Sequence, residues 1–273
     1  MMRSRSHALL TVGMVVAIAA LIAATAFILG RSTGSPSTPA SQVTQEASGT
    51  KEATENSRQQ KRTAKEALFY PPERLGAMIA STIAKSVQIE CQDKYYGTGW
   101  IYDTSYTPMY REKDFEVGAE GKDLLVVTAA HIINDCRSDP STIKVIIDGE
   151  ESPSQLLNWH KKIDLATIAV EAKNPGLKGS EEVQQGMWAL AVGWPFDDNL
   201  TPTIGRVIEV EDSRLYIDVL IEPGNSGGPL VDSTGAVIGT VISSFIDDND
   251  VTTGFNIATK TRALCTKLLI CIE

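Results

Sequence analysis

Histidine is scarce in this sequence: three occur in 273 residues, His7, His131 and His160. The four cysteines, Cys91, Cys136, Cys265 and Cys271, include no Cys-x-x-Cys pair, which argues against a zinc or thioredoxin-like site. There is no basic stripe interleaved with aromatics; aromatic residues make up 6% of the chain and its formal net charge is −9. Nucleic acid is therefore not an expected partner. No internal repeat is evident. The acidic run "DDND", Asp247 to Asp250, lacks the ligand spacing of an EF-hand loop and reads as a solvated hairpin turn. Neither a metal nor a cofactor is expected.

What is present begins with a contrast at the N-terminus. A short basic stretch, "MMRSRSH", precedes an uncharged run from Ala8 to Gly30. A membrane-crossing helix needs about 20 apolar residues, whereas a cleavable signal peptide has an apolar core of roughly 7–15. The run is nearer the spanning length. Arg3 and Arg5 before it keep the N-terminus cytoplasmic and the remainder outside. Residues 1–30 are thus expected to be a membrane anchor, with cleavage near "AATA" or "STGSPSTPA" and secretion as the alternative. Residues 31–67 are rich in Ser, Thr, Gln, Glu, Lys and Ala, a composition that buries too little apolar surface to fold; a flexible linker is expected.

From residue 68 the texture changes. "PPERLGAMIASTIAK" has apolar residues at helical spacing, with Pro72 suited to a helix start. Short runs rich in Val, Ile, Thr and Tyr follow, including "SVQIEC", "DLLVVTAA", "TIKVIIDG", "DLATIAVE", "MWALAVGW" and "GAVIGTVISS". Many short strands between Gly, Pro, Asn and Asp signals indicate an all-β barrel or sandwich. The end, "IATKTRALCTKLLI", returns to helical periodicity. If one helix ran through Cys265 and Cys271, their Cα atoms would lie about 9 Å apart, too far to bridge. They could pair only if the helix ended before Cys271; buried free thiols are the expectation.

The stretch "PGNSGGPL", Pro223 to Leu230, surrounds one serine with glycine. Bare backbone of this kind suits a turn, or a nucleophile whose neighbouring N–H groups face developing negative charge. His131 ends an apolar strand, "LLVVTAAH". Asp164 heads another, "DLATIAV", where a partly buried carboxylate needs a partner. "GNSGG" also satisfies the G-x-S-x-G nucleophile elbow, but that arrangement requires a histidine after the serine, and none follows His160. The order is histidine, aspartate, serine. His160, in "NWHKK", reads as a solvated surface residue.

"VTAAH", "DLATIAV" and "GNSGGPLV" resemble the three signature segments of trypsin-like serine peptidases, and most closely the HtrA/Deg group. "GTGWIY", "AVGWPFDDNLTPTIGRV" and "TTGFNIATKTRALCTKLL" extend the resemblance from about residue 75 to 269. It implies an all-β, trypsin-like fold in residues 68–273: two antiparallel six-stranded β-barrels, at about 86–178 and 183–257, and a C-terminal helix at about 258–270. It implies His131 as general base, Asp164 as its orienting partner and Ser226 as nucleophile. The oxyanion hole would be formed by the backbone N–H groups of Gly224 and Ser226, with Asn225 between them. Leu220 and Ile221 would line an apolar pocket for small or medium aliphatic side chains. Ile242, Ser243 and Ser244 would offer a strand edge to a peptide or protein substrate. A disulfide between Cys91 and Cys136 and a homotrimeric assembly are further implications.

Departures from the family pattern are also visible. The sequence stops shortly after the closing helix, with no room for a PDZ module, so regulation through one is not expected. No "IVGG"-like mature N-terminus is present, so activation by cleavage is not implied. The segment Asp103 to Lys122 is long and charged for the hairpin expected there. The functional expectation is a membrane-tethered, extracytoplasmic serine endopeptidase in protein quality control or processing. The alternative is a catalytically silent protease-fold module for binding or sensing.

Overall fold

The apolar runs form two large antiparallel sheets in the computed structural model, which describes residues 64–103, 108–110, 123–171, 175–195, 199–246 and 252–271. Two helices come first, α1 (Ala64–Ala67) and α2 (Leu75–Ile83). The helix signal at Pro72 is displaced by three residues, because the chain makes a turn before α2.

The first sheet contains β1 (Ser86–Cys91), β2 (Tyr95–Tyr102), β4 (Asp123–Ala129), β5 (Ile143–Ile147), β6 (Glu150–Ser152), β7 (Ser154–His160) and β8 (Leu165–Glu171), in the spatial order β6-β5-β1-β2-β4-β8-β7. The strand β8, "LATIAVE", is apolar or small almost throughout and is buried from Leu165 to Val170, as a strand covered on both faces should be. Asp148 and Gly149 join β5 to β6 with φ of 52° and 83°. Positive φ at both central residues is what a two-residue hairpin turn demands, and Asp-Gly accommodates it.

The second sheet is a closed barrel of β9 (Trp188–Gly193), β10 (Thr201–Val210), β11 (Arg214–Ile217), β12 (Pro229–Val231), β13 (Val237–Ile246) and β14 (Thr252–Lys260), in the order β10-β11-β14-β13-β12-β9. The last helix, α3 (Thr261–Lys267), and β15 (Leu269–Cys271) follow, and β15 pairs with β3 (Pro108–Tyr110).

Three expectations are corrected. Only one of the two sheets closes by a hydrogen-bonded ladder. The other is a curled half-barrel of seven strands whose edge strands, β6 and β7, are consecutive in sequence and separated by Pro153 alone. Proline has no N–H to donate, so the ladder changes partner from β5 to β8 at that residue. The closing helix is Thr261–Lys267, not 258–270. Residues 258–260 stay extended because β14 is held between β11 and β13. Cys265 is disulfide-bonded; the helix ends four residues before Cys271, so the objection from helical spacing does not arise. The proposed anchor, most of the linker and "DDND" lie outside the described residues. Among the described residues no helix is long and apolar enough to cross a membrane.

One core cluster fills the first sheet and reaches across to Trp188, Leu190, Val192, Val231 and Val237 of the second. Another fills the barrel around Met187, Val207, Leu215, Ile217 and Leu230. Within the junction, buried Trp100 donates its Nε1–H to Thr240 Oγ1 at 3.1 Å.

Candidate active site

Register brings His131 and Asp164 together. β4 and β8 pair from Asp123 opposite Glu171 to Ala129 opposite Leu165, so the residues just beyond this end of the ladder are neighbours. Ala130 N–H donates to the Asp164 carbonyl at 3.2 Å. The Asp164 carboxylate then takes two bonds from one residue: Oδ1 accepts the His131 backbone N–H at 2.8 Å, and Oδ2 lies 2.7 Å from Nδ1. Backbone and ring are thus held by one carboxylate, which fixes the ring's orientation and keeps its proton on Nδ1. Asp164 has φ of 54°, in the left-handed region that aspartate tolerates better than most residues.

His160 contributes to that turn. It ends β7, and its Nδ1 accepts the backbone N–H groups of Lys162 at 3.2 Å and Ile163 at 3.4 Å. It is half-buried, so the expectation of a simply solvated residue is corrected. Its polar neighbours gave no sign that they would donate main-chain bonds to it.

Ser226 sits in the loop between β11 and β12. Its carbonyl accepts Thr98 N–H at 2.8 Å, and Gly227 N–H donates to the Val241 carbonyl at 2.7 Å. The close approach requires glycine: Gly227 has φ of 86°, and a Cβ there would collide with the Thr98 carbonyl and the Thr128 hydroxyl. Thr98 adds a second tie, since its Oγ1 donates to the Gly224 carbonyl at 2.7 Å and accepts Trp194 N–H at 3.0 Å. A threonine inside "GTGW" looks like an ordinary strand residue, and nothing in the sequence marks it.

The loop amides divide into two groups. Asn225 N–H donates to Glu222, Gly227 N–H to Val241 and Gly228 N–H to Asn225. Among the described residues, the N–H groups of Gly224 and Ser226 donate to no protein acceptor. Asn225 itself is buried, with its side-chain Oδ1 unpartnered. The Ser226 hydroxyl donates to the Ile242 carbonyl at 2.6 Å, and no hydrogen bond joins it to His131 among the described residues. Ile242 is the extra residue of a β-bulge: Val241 pairs with Ala258 and Ser243 with Ile257. A bulge of this kind re-aims the groups around it.

These features lie on a chain whose residues 97–239 match the sequence profile of the trypsin-like peptidase domain. The chain belongs to the trypsin-like peptidase family. Among its relatives is the "Probable periplasmic serine endoprotease DegP-like" of Chlamydia muridarum, 35% identical over 130 residues that cover 43% of this chain and 26% of the relative. A protein of the same name from Pseudomonas fluorescens is 33% identical over 136 residues, covering 46% of this chain and 27% of the relative. The chain thus spans about a quarter of the length of these curated relatives. The crystal structure of the serine endoprotease from Yersinia pestis superposes with a TM-score of 0.55 at 24% identity, over 72% of this chain and 66% of that one; this likeness concerns the fold.

In the trypsin-like frame the remaining expected residues separate. Cys91 and Cys136 are joined by a disulfide with Cα atoms 5.8 Å apart, tying the end of β1 to the turn after His131. Leu220 is 60% exposed whereas Ile221 is 7% exposed and packs in the barrel core. Of the two, Leu220 is the one that faces outward, whereas Ile221 packs with Val219 in the barrel core. Ile242, Ser243 and Ser244 lie on β13, which pairs with β12 only as far as Thr240. Beyond that residue, no described strand covers the edge of β13 that faces away from β14. A cavity of about 370 Å³ opens against His131, Asp164 and Ile242.

Proposed function

We propose that this chain is a serine endopeptidase of the HtrA/Deg type in which His131, Asp164 and Ser226 carry the reaction. One observation supports this above the others: His131 is paired with Asp164 at 2.7 Å while, among the described residues, the Gly224 and Ser226 amides donate to no protein acceptor. With the Nδ1 proton committed to Asp164, the Nε2 lone pair is left for Ser226. Rotation of the Ser226 side chain exchanges the Ile242 carbonyl for Nε2 as the acceptor of its proton. Oγ then attacks the peptide carbonyl carbon as that proton passes to His131. The oxyanion receives the Gly224 and Ser226 N–H groups, each such donor contributing about 2.7–4 kcal/mol. The imidazolium, stabilised by Asp164, protonates the leaving amine, and water repeats the sequence to release the acyl group.

The substrate strand pairs with the free edge of β13. Leu220 offers apolar contact to the side chain preceding the cleaved bond, so small and medium aliphatic residues are preferred there; a peptide panel cleaved best after Lys or Arg would contradict this. Residues 1–30 anchor the protein with its peptidase domain outside the cytoplasm, a reading supported by the uncharged run from Ala8 to Gly30 and by the word "periplasmic" in the relatives' names. Release of the full chain from membranes by alkaline carbonate would remove the anchor. Processing or quality control of exported proteins, by a homotrimer as the family resemblance implies, is the role consistent with that location; a monomer in sedimentation would remove the trimer.

The resting Ser226–Ile242 bond favours one alternative, a protease-fold binding module. A fluorophosphonate probe separates the two. The peptidase reading expects labelling of the wild-type protein that is lost in both Ser226→Ala and His131→Ala. Folded wild-type protein that stays unlabelled sinks it.

A further inference from the structure

We propose that the cavity beside His131 is a subsite for an acidic substrate side chain, and that Arg137 and Lys161 select it. The proposal rests on the endopeptidase reading and names the substrate class that this site prefers. The cavity is lined by His131, Asp164 and Ile242, whose carbonyl accepts the Ser226 hydroxyl, and its wall includes Arg137, Lys161, Lys162 and Arg214. Among the described residues, Asp164 is the one acidic residue lining it, and both its oxygens are engaged by His131. A chain of net charge −9 thus gathers four cationic residues around one cavity beside His131. None of the four belongs to an ion pair among the described residues, where Lys144 pairs with Asp93 and Arg262 with Glu181. Lys162 and Arg214 also border a neighbouring cavity whose wall includes Glu211 and Asp212, so their charge is shared. Arg137 and Lys161 do not.

Arg137 is held ready for a carboxylate. Its Nε donates to the Asn134 carbonyl at 3.0 Å, its Nη2 to Asn134 Oδ1, and its guanidinium lies 4.0 Å from the centre of the Trp159 ring. A guanidinium carries five donors in a planar fork, so donors remain after these bonds. A fork already fixed by stacking loses less freedom when it pairs than a mobile lysine does. The position of the acidic side chain follows from strand geometry. On a substrate strand laid along β13, successive side chains point to opposite faces. The residue before the cleaved bond faces Leu220, so the one before that faces His131 and the cavity, and the fourth shares its face.

The test uses full-chain Ser226→Ala protein and fluorescein-labelled peptides of one sequence with Glu, Gln or Lys at the second position before the cleavage point. Fluorescence polarisation should show Glu bound tighter than Gln by about fivefold, the scale of a partly exposed ion pair, with Lys weakest. The ratio should fall toward one in an added Arg137→Gln, Lys161→Gln pair of substitutions. It should fall likewise at 0.5 M salt in protein without them, a readout independent of whether the substituted protein folds. Equal binding of the three peptides, no binding of any, or a Glu preference that survives both salt and substitution overturns the proposal. Binding needs no turnover, so the two readings fail separately. Glu-selective binding with no fluorophosphonate labelling of wild-type protein sinks the endopeptidase and keeps the subsite. Labelling without selectivity sinks the subsite alone.

Discussion

Asp164 combines a backbone requirement with a chemical one. Its φ of 54° is tolerated by Asn as well as Asp, while its carboxylate is the acceptor for both the ring and the backbone of His131. Asp164→Asn therefore separates the two. The variant is expected to melt close to wild type by circular dichroism yet lose about 10⁴-fold in kcat, since an amide can present its NH₂ to Nδ1 and stabilise the wrong tautomer. An Asn variant of near-normal kcat would remove Asp164 from the mechanism. At this scale the sequence was informative where a residue stands in an unusual setting. Ser226 among glycines and His131 at a strand mouth are such cases. Thr98 acts through main-chain bonds to a loop distant in sequence and His160 through main-chain bonds to the turn that follows it, and nothing in their immediate neighbours announces either. Leu220 and Ile221 read as equivalent apolar residues, and only the folded chain sends one to solvent and the other into the core.

Elements were legible as runs of apolar residues, because a run records which strand is covered. Closure was not, because it depends on which edges meet. Pro153 divides what composition alone would join, and the same absence of an N–H appears in no hydropathy pattern. The last helix starts at Thr261, later than its periodicity suggests, for a related reason: Ala258 and Thr259 are buried by strand partners on both sides, and burial looks alike in either periodicity. The open edge of β13 carries the functional consequence. If substrate binds there as a strand, peptides N-methylated at the amides that would pair with residues 242–246 should lose roughly fivefold in kcat/KM per bond removed, from about 1 kcal/mol each. Methylation at the alternate amides, which face solvent, should be silent. Equal loss at both sets would mean the peptide is held by its side chains.

At the scale of the whole molecule, the site exists only while two sheets stay in contact. His131 and Asp164 come from the curled sheet and Ser226 from the loop entering the barrel. Besides the shared apolar core, hydrogen bonds between them include Thr98 N–H to the Ser226 carbonyl, Thr98 Oγ1 to the Gly224 carbonyl, Trp194 N–H to Thr98 Oγ1, Thr259 Oγ1 to the Ile163 carbonyl at 2.7 Å, and Trp100 Nε1–H to Thr240. The last is the most deeply placed, with Trp100 fully buried and Thr240 nearly so. Thr240→Val keeps the shape and removes the acceptor, leaving an indole N–H in the core without a partner, a cost of about 1–3 kcal/mol. For a domain of this size the melting temperature should fall by roughly 2–10 °C. The informative comparison is between two melts of the same variant, one followed by circular dichroism and one by residual fluorophosphonate labelling. If the shared core makes the sheets one cooperative unit, both curves move together. Labelling that disappears well below the circular dichroism transition would mean that the sheets part before either unfolds, and that the junction, not the barrel, limits how long the serine and histidine stay in reach of each other.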